Sequence, residues 1–280
     1  MASFENKVIA ITGAASGMGL ATAKLLASRG ALLSLADLND AALQQVIKAL
    51  PGGPSRHLGV AVDVRKSDSV QDWIDKTVEK FGKLDGAVNM AGVLGPSHTS
   101  ILDITEKDLD FVMSVNVNGV FNCLKSQIKA LKQGSAIVSA ASISGQVGLP
   151  NSSIYCASKA AVISLSTAAA KENGHLRINC VAPGKFYTFE LQYRVAVELA
   201  VNFWCPMSGV VYTPMSADHD PKRVENGLMA NAQRKMGSAR EVATVIAFLL
   251  SSEASFVTGA VYNIDGGWIT SGKTSGQSKL

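Results

Sequence analysis

Long hydrophobic runs are missing from this chain of 280 residues. No stretch approaches the ~18 uncharged apolar residues that crossing a bilayer requires, so no membrane-spanning helix is expected. Clusters of like charge are missing too. The net charge is only +4 and Lys and Arg are scattered, which argues against a nucleic-acid partner. Four cysteines (Cys123, Cys156, Cys180, Cys205) lie far apart with no CxxC pair, and the four histidines (His57, His98, His175, His219) are equally isolated. This leaves no basis for a disulfide framework or a metal centre, and it suits a reducing compartment. Aromatics make up only 6%, and neither an internal repeat nor a low-complexity linker divides the chain. A secretory leader is not expected, because Glu5 and Lys7 interrupt the opening residues.

What is present is an apolar fraction of 47%, rich in small aliphatics, in a chain long enough for one α/β domain with a sizeable core. Short apolar runs alternate with helical stretches. Strands are expected at Lys7–Gly13, Ala31–Leu38, Leu58–Val64, Leu84–Gly92, Ser135–Ser142, Arg177–Gly184 and in "AVYNID". Between them fall helical patterns such as "GMGLATAKLLASRG", ended by Gly30, and "AALQQVIKAL", stopped by Pro51. "SVQDWIDKTVEKFG" and "AREVATVIAFLLS" read as further helices. Thr105–Lys132 reads as one long helix and Ser153–Glu172 as another. Nonstop apolar strands alternating with helices imply a doubly wound, Rossmann-type parallel sheet covered on both faces. One domain spans 1–268, and 269–280 is a small, polar tail.

"TGAASGMG" follows the first strand. Its glycines let the backbone turn tightly and approach a pyrophosphate, and the next helix offers its N-terminal N–H groups. Alone, such a turn is equally an ordinary strand–helix connection; its place in a βαβ unit is what lifts it. Asp37 ends the second strand, where a carboxylate can accept both ribose hydroxyls and repel a 2′-phosphate. No base stands beside it, and Ser16 fills a loop position that a base could have taken, so NAD is favoured over NADP. The competing reading makes Asp37 the opening of the "DLND" turn. Further along, "YCASK" places Tyr155 and Lys159 one helical turn apart, so that an ammonium lies near a phenol. A nearby cation favours phenolate, which can then exchange a proton near neutral pH. The pair alone is more often a plain helix surface. Ser142, at the end of the fifth strand, adds a hydroxyl at the edge where parallel sheets hold ligands.

Taken together, these residues make the chain resemble the classical short-chain dehydrogenase/reductase family from Lys7 to Trp268. "TGAASGMG" is similar to that family's TGxxxGxG, "NMAG" (Asn89–Gly92) to its NNAG with Met90 as a departure, and "YCASK" to its YxxxK. Ser142 and Asn116 fall where its catalytic Ser and Asn stand. The resemblance implies an NAD(H)-dependent oxidoreductase acting on a secondary alcohol or ketone. Tyr155 would be the acid/base. Lys159 would lower its pKa and bind the nicotinamide ribose. Ser142 would orient the substrate oxygen, and Asn116 would hold a water in a proton relay. It further implies cofactor contacts from Thr12, Gly13, Ser16, Gly17, Met18 and Gly19, from Asp37 and Leu38, and from Asp63 and Val64 at the adenine. Asn89, Ala91 and Gly92 would line the centre, with Asn89 also buttressing the strands. Tyr155, Lys159, Pro183 and Gly184 would complete the nicotinamide end. A homodimer or homotetramer is implied as well.

The family's PGxxxT Thr has two candidates. "PGKFYT" gives Thr188, whereas omitting Lys185–Gly209 gives "PGVVYTPM" and Thr213, the closer likeness. Lys185–Gly209 therefore reads either as a retained intron, since its ends are compatible with splice sites and a whole number of codons would be removed, or as a true lid. If it blocks the substrate pocket, the protein would bind cofactor without turnover. The final Ser278-Lys279-Leu280 matches a peroxisomal import signal, so an import receptor and the peroxisome are expected, with the cytoplasm as alternative. The substrate class expected there is an acyl-CoA or a specialised metabolite.

Overall fold

A computed structural model describes residues 2–96, 99–184, 232–235 and 237–269. Seven parallel strands form one sheet: β1 (Val8–Thr12), β2 (Leu32–Asp37), β3 (His57–Ala61), β4 (Gly86–Asn89), β5 (Ala136–Ala140), β6 (Arg177–Pro183) and β7 (Val261–Ile264). The order across the sheet is β3-β2-β1-β4-β5-β6-β7. All residues of β1, β4 and β5 are buried, which is why these strands carry nonstop apolar or small side chains.

Helices cover both faces. On one face lie α4 (Ser67–Phe81), α5 (Glu106–Met113), α6 (Gly119–Ala130) and α7 (Ser153–Glu172). Trp73, Ile74, Val120, Leu124 and Val162 are buried there against Ile137 and Ile178 of the sheet. On the other face lie α1 (Gly17–Ser28), α2 (Asp40–Ala49) and α8 (Ala239–Leu250), burying Ala23, Leu26, Leu43, Ile47, Val242 and Ile246 against Ile9, Leu33 and Val181. Capping chemistry fixes the helix starts. Thr105 and Asp108 form a reciprocal box at α5, and Ser238 and Glu241 form one at α8. Asn39 accepts from the Ala42 N–H at 3.0 Å at the head of α2. Among the described residues no helix is long and apolar enough to cross a membrane.

Two elements go beyond the sequence expectation. Thr105–Lys132 is helical without a gap from Glu106 to Ala130, but a π-helical turn, Ser114–Asn118, lies between α5 and α6. The Asn116 side chain is drawn to the Val93 backbone there, and Gly119 sits so close to α4's approach that a Cβ would lie 2.8 Å from Val64 Cγ2. A short helix, α3 (Gly53–Arg56), also precedes β3, started by Gly52 at φ 85°. The expected strands are longer than those observed by one to a few residues, since the flanking residues leave the sheet to form loops at the site.

The chain runs from β1 out to β2 and β3, then crosses back to β4 on the other side of β1. The carboxyl ends of β1 and β4 therefore flank the point where the winding reverses, which is where open α/β sheets hold ligands. Gly184, leaving β6, donates its N–H to the Ile264 carbonyl at 2.9 Å, and Gln233 donates to the Gly266 carbonyl at 3.1 Å. Lys185–Gly209, Thr188, Thr213 and Ser278–Leu280 lie outside the described residues.

Candidate active site

The turn after β1 is shaped for an anion. Gly13 and Gly17 have φ values of 64° and 56°, in the left-handed region that glycine adopts without penalty. A Cβ on Gly13 would stand 2.9 Å from the Ala91 nitrogen, and one on Gly19 would run into the Gly13 carbonyl oxygen. Ser16 occupies the N-cap of α1 but makes no side-chain capping bond, and no acid stands in the first turn. The N-terminus of α1, with Gly17 and Met18, so keeps its donors and partial charge for a phosphate. Thr12 holds this turn to β4: its Oγ1 accepts from Met90 N at 3.1 Å and from Ala91 N at 3.2 Å. With that hydroxyl facing the backbone of β4, Thr12 acts as a tie between the two strands.

Asp37 ends β2 beside this turn. Its Oδ2 accepts from Ala15 N at 3.0 Å and its Oδ1 from Asn39 N at 3.0 Å. The carboxylate thus both opens the "DLND" turn and braces the glycine loop, with lone pairs left for ribose hydroxyls. Leu38 beside it is 70% exposed, an apolar surface at the same rim. Asp63, beyond β3, is gripped by Arg65, with Nε to Oδ1 at 2.8 Å and Nη2 to Oδ2 at 2.7 Å. This two-pronged bond, chiefly, holds the Asp63 carboxyl below its ordinary pKa. Val64 is buried under Gly119. Asn89 is engaged elsewhere: its Nδ2 donates to Gln127 Oε1 at 3.1 Å, and Gln127 Nε2 donates back to Asn89 Oδ1 at 2.8 Å. This buried pair is the buttress anticipated for Asn89, and it leaves the side-chain amide occupied. These features fit a dinucleotide: an uncapped helix start, a cradle that any Cβ would fill, and a carboxylate at the end of β2.

The second half of the site gathers around α7. Ser142 leaves β5 in extended conformation, and its Oγ accepts from Ser144 N at 3.1 Å. Accepting there leaves the Ser142 proton free to point at Tyr155, with which it shares a hydrogen bond that lowers the phenol pKa. Lys159, 5% exposed, donates from Nζ to the Ala140 carbonyl at 2.8 Å. Its Nζ lies 5.7 Å from the centroid of the Tyr155 ring. Gly145 presses on α7 so closely that a Cβ would lie 2.6 Å from the Lys159 carbonyl carbon, which fixes the Ser142 turn against the helix. Gly92 closes the far side, where a Cβ would stand 3.2 Å from Asn116 Oδ1 and 3.3 Å from Lys159 Nζ.

Burial dominates the electrostatics of the Tyr155 and Lys159 pair. Burial, outweighing the Ser142 hydrogen bond, pushes the Tyr155 phenol above its usual pKa, and Cys156 adds to the rise. Burial also pushes the Lys159 ammonium down to about 8, opposed weakly by Cys180. A phenol raised above its usual pKa of about 10 is protonated at neutral pH. The Asn116 side chain is held by three bonds. Its Nδ2 donates to Val93 O at 2.9 Å and to Ser158 Oγ at 3.0 Å, and its Oδ1 accepts from Val93 N at 2.8 Å. No amide hydrogen remains for a water, and the side chain works as a clamp. Sequence reasoning missed Gln127, Ser144 and Arg65. It also passed over Ser158, although that residue sits inside "YCASK".

Comparison with known proteins agrees with this arrangement. A family model described as "Enoyl-(Acyl carrier protein) reductase" matches residues 13–194 and 196–269, the break falling within Lys185–Gly209. The chain is 41% identical over 273 residues to the short-chain dehydrogenase/reductase aba4 of Botryotinia fuckeliana, covering 95% of this chain and 97% of that one. It is 35% identical over 272 residues to levodione reductase of Leifsonia aquatica, covering 94% of each chain. Among solved structures, NAD+-bound xylitol dehydrogenase matches with a TM-score of 0.80 at 30% identity, over 95% of this chain and all 100% of that one. The chain belongs to the short-chain dehydrogenase/reductase family. It is accordingly an oxidoreductase built on a nicotinamide-binding Rossmann fold.

Proposed function

We propose that this protein uses NAD(H) to interconvert a secondary alcohol and a ketone, with Tyr155 as the acid/base. The observation that carries the reading is the convergence of Ser142, Tyr155 and Lys159 at the carboxyl edge of β5. Ser142, its oxygen already held by Ser144 N, can donate to a substrate carbonyl. The protonated Tyr155 phenol can deliver the proton that a reduced carbonyl oxygen needs, or take one from an alcohol once deprotonated. Lys159, charged below about pH 8, stabilises the phenolate left behind. The nicotinamide cofactor, when bound, supplies or accepts the hydride. Asp37 supports NAD over NADP by repelling a 2′-phosphate, and a solved relative holds NAD+.

The name of levodione reductase favours a small ketone or alcohol of specialised metabolism, and that of a 3-oxoacyl-[acyl-carrier-protein] reductase keeps an acyl thioester such as an acyl-CoA as the other class. A homodimer or homotetramer is favoured by the exposed Phe111 and Phe121 on the helices around Asn116. Peroxisomal residence, through capture of Ser278-Lys279-Leu280 by an import receptor, rests on the sequence alone. A second reading, a cofactor-binding chain impaired by Lys185–Gly209, rests on the sequence alone.

The test pairs the full chain with one lacking Lys185–Gly209. Each is titrated with NADH and NADPH by fluorescence, then assayed on cyclic ketones, sugar alcohols and 3-oxoacyl-CoA. We expect NADH to bind more tightly than NADPH and Tyr155→Phe to abolish turnover in the active form. Tighter NADPH binding would overturn the role of Asp37. Turnover in the shortened form alone would establish the second reading.

A further inference from the structure

Ser158 lies between Tyr155 and Lys159 in the chain, fully buried and without contact to solvent. Its hydroxyl makes two bonds. It donates to the Tyr155 backbone carbonyl at 2.8 Å, and it accepts from Asn116 Nδ2 at 3.0 Å. The Asn116 amide is itself fixed to both polar atoms of the Val93 backbone, at 2.8 and 2.9 Å. Val93 follows Gly92, whose lack of a side chain allows Asn116 and Lys159 to approach. Two segments therefore meet at this hydroxyl, the start of α7 and the π turn of Ser114–Asn118, and Asn116 extends the link to the loop leaving β4. No other described hydrogen bond joins the Tyr155 backbone to the π turn.

We propose that Ser158 is a positioning residue for Tyr155. It locks the first turn of α7 to the Asn116 clamp, so that the phenol keeps its place against Ser142 and Lys159. The inference rests on the reading of Tyr155 as the acid/base. The physical argument concerns satisfaction of buried donors. Both hydrogens of the Asn116 amide are used, and one of them has Ser158 as its partner. Without that hydroxyl a fully buried N–H is orphaned, and the amide can recover a partner only by turning away from Val93. Either response loosens the turn that presents Tyr155. A phenol that drifts from Ser142 loses the hydrogen bond that lowers its pKa, so its ionisation moves further up.

The experiment compares Ser158→Ala, Ser158→Thr and Tyr155→Phe in the turning-over form of the full-length fold, by NADH titration and by kcat against pH in the alcohol-oxidising direction. Ser158→Ala should bind NADH within about twofold of the parent while kcat at neutral pH falls about tenfold, the scale of one buried hydrogen bond. The acid limb of its pH profile should move to higher pH. Ser158→Thr keeps a hydroxyl at a helical position where threonine can bond the i−3 carbonyl, so it should return the acid limb toward that of the parent even if it lowers thermal stability. A residue that only stabilises the fold would lower the melting temperature and leave the pH profile in place, and that result overturns the proposal. Tyr155→Phe separates the two levels. If it retains activity, the acid/base reading itself fails. If it is inactive while Ser158→Ala matches the parent in kcat and pH profile, only the positioning role fails.

Discussion

Among single residues, Lys159 shows how much the site sacrifices in stability for its chemistry. Its ammonium is taken out of water and, among the described residues, donates to the Ala140 carbonyl and lies over the Tyr155 ring. A folded pKa of about 8 lies below the ordinary lysine value, so the unfolded chain binds the proton more readily. The charged lysine therefore opposes folding in full below about pH 8, and the opposition fades as pH rises toward the unfolded value of about 10.4. Lys159→Met should raise the stability of the fold at pH 7 by about 2 kcal/mol, the desolvation gain being partly offset by the lost bond to Ala140. Denaturant titrations at pH 7 and pH 9.5 should show the gap narrowing at the higher pH, and turnover should be lost throughout. A methionine variant less stable than the parent at pH 7 would show that the Ala140 bond outweighs desolvation.

The elements differ in how plainly the sequence announces them. Strands β1, β2, β4, β5 and β6 are legible because each is a run of mostly buried side chains bounded by glycine, proline or a turn, a local signal. The π turn within Thr105–Lys132 is not, since it arises from Asn116 reaching a backbone 23 positions away in the chain, and nothing nearby in the chain marks it. The same holds for Asn89, whose partner Gln127 lies on another helix. Motif spacing found Ser142, Tyr155 and Lys159, but only geometry shows that Ser144 orients the first and that burial governs the second.

His57 at the start of β3 is a further case where distant partners decide. Its Nδ1 accepts from the Leu33 N–H at 3.2 Å, and its Nε2 donates to the Pro51 carbonyl at 2.9 Å. Burial, chiefly, lowers its pKa, with Arg56 and Lys80 adding to the effect and the Pro51 bond opposing it. Protonation would set a second donor against the Leu33 N–H. Because the folded pKa is the depressed one, the contribution of His57 is complete above the unfolded value of about 6.5 and is lost as pH falls through the folded value. We expect the denaturant midpoint of the parent to drop on acidification below about pH 6.5, and His57→Gln to flatten that drop while lowering the midpoint at pH 7.5. An equally steep acid limb in the variant would assign the sensitivity to other groups.

In the whole molecule, the question of Lys185–Gly209 becomes one of loop closure. The chain leaves the sheet at Gly184, and both Gly184 and Gln233 are bonded to Ile264–Gly266 at the end of β7. Changing the length between two fixed ends costs only the logarithm of the length, so removing the 25 residues should shift unfolding free energy by less than about 1 kcal/mol. Matched urea transitions for the full and shortened chains would bear this out. A larger loss on deletion would mean that the stretch packs onto the fold and is part of it. Retention of stability together with a change in kcat would place its influence on the substrate side alone.

The paired anchors at Gly184 and Gln233 also bear on whether the protein must be a single polypeptide. Among the described residues, those up to Gly184 supply six strands and both helical layers except α8, and those after it supply α8 and β7. The two parts meet along the β6–β7 ladder, from Cys180 opposite Val261 to Pro183 opposite Ile264, and through α8 laid against α1. Neither meeting uses the covalent link. Co-expression of residues 1–184 with residues 210–280 should therefore yield a complex that copurifies and binds NADH, a natural split point for complementation. Separate, insoluble halves would show that the tether carries the assembly.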